Sequence, residues 1–233
     1  MAVHVIPTLD AMAEVYRLPT TGGAHSPRFE AYVELGRAGR PVSGYNPMTS
    51  KPALETVERL LELDAERLAA EMAAETANRL GLPPGQEIEL SITVATPGMW
   101  TDRIATEVEH VLLARTPNQL LFWTGDDIDA DAVRRVATIQ TVRATRATPA
   151  TVWDAVHQEG LAGALATPAD ARWDDDVAAA LEIVGDDTGV STMAALLLGD
   201  DAAIAMGWTP LGLAPDAGRR HAIERSLATP RGR

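Results

Sequence analysis

The clearest hydrophobic pattern in the chain runs from residue 52 to residue 80. Apolar side chains recur there at steps of three and four, with acids and arginines between them, at Leu54, Val57, Leu60, Leu61, Leu63, Leu68, Met72 and Leu80. Such steps place side chains on one face of an α-helix. The pattern predicts one long amphipathic helix over about 52–80, whose leucine face serves the core or a homo-oligomer contact.

Two segments in the middle of the chain have the pattern of β-strands. Residues 87–95 alternate polar and apolar side chains, and residues 118–124 are more continuously apolar. A helical pattern runs between them from Thr101 to about Arg115, and another begins near Asp129. This order predicts a βαβ unit with parallel strands at about 87–124.

The regions on either side of these segments have the sequence pattern of helices. Helices are expected at 8–17 and after Ser26-Pro27, and later over roughly 149–165, 174–184, 190–206 and 215–228. The predicted fold is therefore α/β and helix-dominated, with a small sheet surrounded by helices. One domain, 1–233, is predicted to contain a helical N-terminal part (1–82), the βαβ unit (83–147) and a helical C-terminal part (148–233).

Composition narrows the class of protein. The formal net charge is −13 and the isoelectric point is about 4.7, so phosphate backbones and anionic lipids would be repelled. The absence of cysteine excludes disulfides, thiol nucleophiles and thiolate metal sites. No signal-peptide pattern or apolar run of membrane-spanning length occurs. We expect a soluble, cytoplasmic protein with no nucleic acid or membrane partner, and its Ala- and Arg-rich composition is typical of a GC-rich bacterial genome.

The common catalytic and nucleotide-binding motifs are absent from the sequence. It contains no phosphate loop, no dinucleotide fingerprint, no nucleophile elbow and no H-E-x-x-H helix. Asp127, Asp129 and Asp131 resemble the start of a calcium loop, but the turn glycine and the bidentate glutamate are missing. These acids are interpreted as charges at a helix N-terminus.

Four arginines follow those acids, with no acid between them. They are Arg134, Arg135, Arg143 and Arg146. The ordinary interpretation is a solvated helix face that offsets nearby acids, and the functional one is a patch for a small anion. His221 and Glu224, further on, read as surface residues of the last helix.

Two helical segments carry an acid three residues before a histidine. These pairs are Glu107 with His110 and Asp154 with His157. Both members lie on one helix face, so each pair could bind a divalent metal ion or transfer a proton. The alternative is a structural histidine that is hydrogen-bonded by its acid.

The turn after the first predicted strand carries Trp100, Asp102 and Arg103. Ligands of open α/β sheets bind at the carboxyl ends of parallel strands. These residues are therefore candidates for substrate binding. The second strand ends in a similar segment, Trp123–Asp127, and the two tryptophans could form walls of a pocket. Both tryptophans could instead cover a small core.

The loop 41–52 contains the only lysine of the chain, Lys51, together with Tyr45, Asn46 and Ser50. Lysine, unlike arginine, can lose its proton when desolvated and act as a base or an amine nucleophile. The functional hypothesis is that Lys51 acts on a substrate bound by its three neighbours. The alternative is that Ser50 caps the following helix and Lys51 is solvated.

Together these features predict an enzyme of small-molecule metabolism that acts on a carboxylate or phosphate substrate by acid–base or metal-assisted chemistry. Lys51, Glu107 and His110 are its candidate catalytic residues. The alternative is a non-catalytic, acidic helical module that binds a ligand or another protein.

Overall fold

The computed structural model describes residues 2–42, 44–48, 51–83, 87–98, 102–112 and 118–228. The chain forms two compact units. The first consists of Met1–Asp102 and Asn118–Ala137, and the second of Arg103–Pro117 and Thr138–Arg233. The number of independent domains stays a prediction.

The first unit contains the sheet. Its elements are β1 (Ala2–Ile6), α1 (Leu9–Arg17), α2 (Pro27–Arg37), α3 (Lys51–Glu62), α4 (Ala65–Arg79), β2 (Glu87–Ala95) and β3 (Gln119–Trp123). Helix α6 (Ala130–Ala144) begins in this unit, and its last residues belong to the second. The predicted helix-dominated α/β class is confirmed.

The sheet is parallel throughout, with the strand order β1-β2-β3. Val3 is in register with Ile88, and Ser91 with Gln119. The predicted parallel pairing of the two central segments is therefore confirmed, with α5 (Arg103–Val111) between them along the chain. Strand β1 was not predicted, because a five-residue apolar stretch is too short to separate from the helix that follows it.

The predicted continuous helix over 52–80 is wrong, because the chain breaks between α3 and α4. Asp64 adopts a left-handed conformation with φ of 51°, which a helix cannot contain. The spacing of apolar residues does not reveal the break, because both helices have an apolar face and the spacing continues from one to the other. Val57 and Leu60 of α3 are buried, as are Ala69 and Ala73 of α4. Of the leucines on the predicted face, Leu60 and Leu68 are buried, and the homo-oligomer stays a prediction.

The second unit is helical in its described part. It contains α5, the end of α6, α7 (Val152–Ala166), α8 (Asp175–Val184), α9 (Val190–Leu198), α10 (Asp200–Ala205) and α11 (Ala217–Ala228). The single helix expected over 190–206 is divided at Gly199, which has a φ of 87°. A Cβ there would lie 2.5 Å from the Ala214 carbonyl oxygen, so the break also allows a close backbone approach.

Helices α7 and α11 approach each other closely at two glycines of α7. A Cβ on Gly160 would lie 2.4 Å from the carbonyl oxygen of Ala222, and one on Gly163 would meet the side chain of Ile223. Only glycine permits this separation. In the part of the chain that the structure describes, no helix is both long enough and apolar enough to cross a membrane.

Candidate functional site

A cavity of about 190 Å³ lies at the carboxyl end of β3, within the first unit. It is formed by the end of the strand, the following loop and the first turns of α6. Its lining residues are Leu121, Phe122, Asp126, Asp127, Ile128, Ala132, Arg135 and Val136. The carboxyl end of a parallel strand is where open α/β sheets bind ligands.

The loop that walls the cavity is held at several points. The Thr124 amide donates to the Ala95 carbonyl oxygen at 2.9 Å, which joins the loop to β2. The Arg59 Nε of α3 donates to the Ile128 carbonyl oxygen at 3.2 Å. These two hydrogen bonds attach the loop to β2 on one side and to α3 on the other.

Asp129 ends this loop and caps α6. Its Oδ1 accepts a hydrogen bond from the Ala132 amide at 2.7 Å. That bond, and to a lesser extent the Arg135 guanidinium, holds the pKa of Asp129 below its ordinary value. The interpretation of this acid as a helix N-terminal charge is thus supported by its contacts.

The cavity combines an apolar floor with a charged rim. Phe122 and Ile128 are only 4% and 6% exposed. Asp126, Asp127 and Arg135 are exposed. The structure records no ion pair of Asp127 or Arg135 with any residue that it describes. Both charges face solvent at the rim, and Arg135 is also close enough to Asp129 to lower the pKa of that carboxyl.

Lys51 lies on the surface as the first residue of α3. Its side chain is 83% exposed, and Nζ forms an ion pair with Glu55 at 3.2 Å, one turn along the helix. These surroundings are those of a solvated lysine, which agrees with the alternative interpretation that Lys51 has no catalytic role. Ser50, the proposed cap and substrate ligand, lies outside the described residues.

Tyr45 and Asn46 make contacts that hold their loop in place. The Tyr45 hydroxyl donates to the Ile92 carbonyl oxygen of β2 at 2.6 Å, and burial raises the pKa of this phenol well above its ordinary value. The Asn46 Oδ1 accepts from the Met48 amide at 2.9 Å, inside the same loop. Structural hydrogen bonds therefore account for both residues, which the sequence had suggested as substrate ligands.

The Glu107 carboxylate is occupied by an arginine. Its Oε1 accepts a hydrogen bond from Arg219 Nη1 at 2.6 Å. Burial alone would raise the pKa of Glu107, but the Arg219 guanidinium outweighs burial, and the pKa lies below its ordinary value. His110 follows one turn later on α5, and its side chain lies outside the described residues.

The second acid–histidine pair also has structural contacts. The Asp154 Oδ2 accepts from the Thr151 amide at 3.1 Å as part of a capping box at the start of α7. His157 stacks on Trp153, with ring centroids 6.1 Å apart. Within the described residues, no group of three or more His, Cys, Asp or Glu side chains could hold a metal ion. The metal site therefore stays a prediction without geometric support.

The residues expected at the end of the first strand are only partly described. Trp100 lies outside the described residues, whereas Asp102 and Arg103 are exposed. Arg103 is the first residue of α5. Lys51 and Tyr45 belong to the first unit and Glu107 to the second.

A buried charge network in the second unit was missed by sequence reasoning. Arg143 donates to both carboxylate oxygens of Glu159, at 2.9 and 2.6 Å, with side chains 13% and 6% exposed. Arg219 lies 3.7 Å from the same carboxylate and joins it to Glu107. The solvated-face interpretation is thus wrong for Arg143. The available signal was the position of Glu159, which falls on the apolar stripe of α7.

His221 is a second residue whose surface assignment is wrong. Its side chain is fully buried, Nδ1 accepts a hydrogen bond from the Asp174 amide at 3.2 Å, and its ring lies 4.3 Å from that of Trp173. Burial, followed by the charge of Arg225, lowers the pKa of His221, although Asp174 and Asp175 oppose the change. The histidine connects α11 to the start of α8.

No protein-family model, curated protein or solved structure significantly matches this chain. The assignment of the site therefore depends on the geometry of the cavity alone.

Proposed function

We propose that this protein binds a small molecule in the cavity at the carboxyl end of β3. The observation that carries the proposal is the combination of an apolar floor with the exposed, opposite charges of Asp127 and Arg135 at its rim. Ligand sites are concave and mainly apolar, with a few charged groups that orient the ligand. Arg135 would bind the anionic group that the arginine-rich segment suggests.

Acid–base chemistry is the reaction class that this rim would support. Asp126 and Asp127 are its proton acceptors, and a bound molecule with a transferable proton would lie beside them. The proposal therefore moves the expected chemistry from Lys51, Glu107 and His110 to the end of β3. A cytoplasmic role in bacterial small-molecule metabolism is retained as part of the same proposal.

Replacement of two alanines by leucine, one inside the cavity and one outside it, tests the proposal. Ala132 lines the cavity, whereas Ala130, at the start of the same helix, does not. Ala132→Leu should fill the cavity, and Ala130→Leu adds the same methyl groups elsewhere. Saturation-transfer NMR on a mixture of small amines, carboxylates, amino acids and alcohols measures binding to each protein. We expect binding to the wild type and to Ala130→Leu, with loss in Ala132→Leu. Equal binding in both variants would show that the cavity is not the site.

A further inference from the structure

We infer that the ligand of this cavity is a small aliphatic zwitterion of the amino-acid class, with an ammonium group at Asp127 and a carboxylate at Arg135. The inference rests on the proposed function and names its ligand class. It follows from the charges at the rim, the size and lining of the cavity, and the net charge of the chain.

The rim presents both signs of charge to one cavity. Asp126 and Asp127 lie in the loop after β3, and Arg135 lies on α6. A ligand with only an anionic group would satisfy Arg135 but would be repelled by the two aspartates. A ligand with only a cationic group would leave Arg135 unpaired. A molecule that carries both groups satisfies both sides of the rim.

The net charge of the chain points in the same direction. A formal charge of −13 produces a negative potential that disfavours a simple anion near the surface. An ammonium group on the ligand cancels that cost, since the molecule then has no net charge. The anionic substrate expected from the sequence is thereby refined to an anion that carries its own cation.

The lining and the volume of the cavity limit the polarity and the size of the rest of the ligand. Leu121, Phe122, Ile128 and Val136 offer only apolar side-chain atoms. A dry cavity of about 150 Å³ is enough to hold benzene, so about 190 Å³ accommodates roughly six to ten non-hydrogen atoms. An unbranched or branched aliphatic amino acid has this size, whereas a nucleotide does not fit.

Four probes that share one aliphatic group separate these contributions. L-leucine carries both charges, 3-methylbutan-1-amine lacks the carboxylate, 4-methylpentanoic acid lacks the amine, and 3-methylbutan-1-ol is neutral. Dissociation constants are measured by NMR titration of the full chain at low ionic strength. We expect leucine to bind roughly 1.5- to fivefold more tightly than the amine or the acid, the range for one exposed charge pair, and more tightly still than the alcohol, which lacks both charges.

Charge variants assign each group of the ligand. Asp127→Asn should weaken leucine and the amine but not the acid, and Arg135→Gln should weaken leucine and the acid but not the amine. Asp131→Asn and Arg134→Gln are matched controls, because these two residues pair with each other and do not line the cavity. The control variants should bind all four probes as the wild type does.

The outcomes distinguish this inference from the proposed function. If the alcohol binds in the cavity as tightly as leucine, or if the two charge variants weaken all probes equally, the zwitterion is wrong and the cavity remains a small-molecule site. If none of the four probes shifts the resonances of the lining residues, and the broader mixture also fails to bind, the proposed function is wrong as well.

Discussion

Arg59 donates a hydrogen bond from Nε to the backbone carbonyl oxygen of Ile128 at 3.2 Å, and this contact joins helix α3 to the wall of the cavity. Arg59 also forms an ion pair with Glu62 on its own helix, at 3.3 Å. The residue therefore positions the loop without lining the cavity. Its role depends on a backbone acceptor that is far away in sequence, which the pattern of apolar residues does not reveal.

Removal of this contact should loosen the loop. We expect Arg59→Ala to lower the free energy of unfolding by about 0.5–1.5 kcal/mol, since the hydrogen bond to Ile128 is lost and the exposed pair with Glu62 contributes little. It should also speed amide hydrogen exchange in residues 124–132, measured by NMR. Arg67→Ala is the control, because Arg67 is exposed, forms ion pairs with Asp64 and Glu71, and does not line the cavity. Unchanged exchange in Arg59→Ala would contradict a positioning role.

The Arg143–Glu159 pair should be the costliest ion pair to break among those described. Both side chains are largely buried, so Glu159→Gln leaves Arg143 with an uncompensated charge. We expect a loss of about 3–5 kcal/mol in the free energy of unfolding, measured by urea denaturation. Glu34→Gln, which breaks the exposed pair with Arg37, should change stability by less than about 1 kcal/mol. Similar effects of the two substitutions would contradict this account of the network.

Two glycine substitutions should have opposite signs. Gly160→Ala places a Cβ 2.4 Å from the Ala222 carbonyl oxygen, and we expect it to destabilise the fold by about 1–3 kcal/mol. Gly36→Ala is the control within α2, where the nearest atom, Cγ2 of Val42, lies at an ordinary 3.6 Å. Because alanine favours a helix, Gly36→Ala should stabilise by up to about 1 kcal/mol. A neutral Gly160→Ala, measured by thermal unfolding, would show that α7 and α11 are less closely packed.

The buried His221 should make stability depend on pH. Its folded-state pKa lies below the ordinary 6.5, so the unfolded chain binds the proton more tightly. Stability should therefore fall as the pH decreases below about 6.5, until the folded-state pKa is reached. The groups that face the ring and enter this balance are Asp174, Asp175 and Arg225.

His221→Asn tests this dependence. Asparagine can still accept the hydrogen bond of the Asp174 amide but does not titrate. The slope of the unfolding free energy between pH 5 and pH 7 should be smaller in this variant, whatever its absolute stability. His157→Gln, at an exposed position of α7, is the control and should retain the wild-type slope. An unchanged slope in His221→Asn would assign the pH dependence to other groups.

The sequence predicted the features that depend on local periodicity. Alternation in residues 87–95 and the apolar run at 118–124 identified β2 and β3, and their parallel pairing followed from the helical segment between them. The break at Asp64 was not predictable from periodicity, because the apolar spacing continues through it and the signal lies in one left-handed residue. The periodicity of apolar residues shows which face of a helix is apolar, but it does not show where the backbone turns.

The candidate catalytic residues expected from the sequence, Lys51, Glu107 and His110, are not among those that line the cavity. The rule that ligands bind at carboxyl ends of parallel strands drew attention to the segment after β3, although Asp127 was interpreted as a charge at a helix N-terminus. It did not identify Arg59 or Ala132, since their positions depend on how α3 and α6 meet the loop. The rarity of lysine drew attention to Lys51, yet composition carries no information about burial. A single lysine can be an exposed one.

The most direct test of the central claim is a map of backbone amide chemical shifts during titration with L-leucine. The account predicts saturable shifts that concentrate at Leu121, Asp127, Ala132 and Arg135, with little change around Lys51. Shifts that concentrate around Lys51, or no saturable shift at the end of β3 with leucine or with any other small probe, would contradict it.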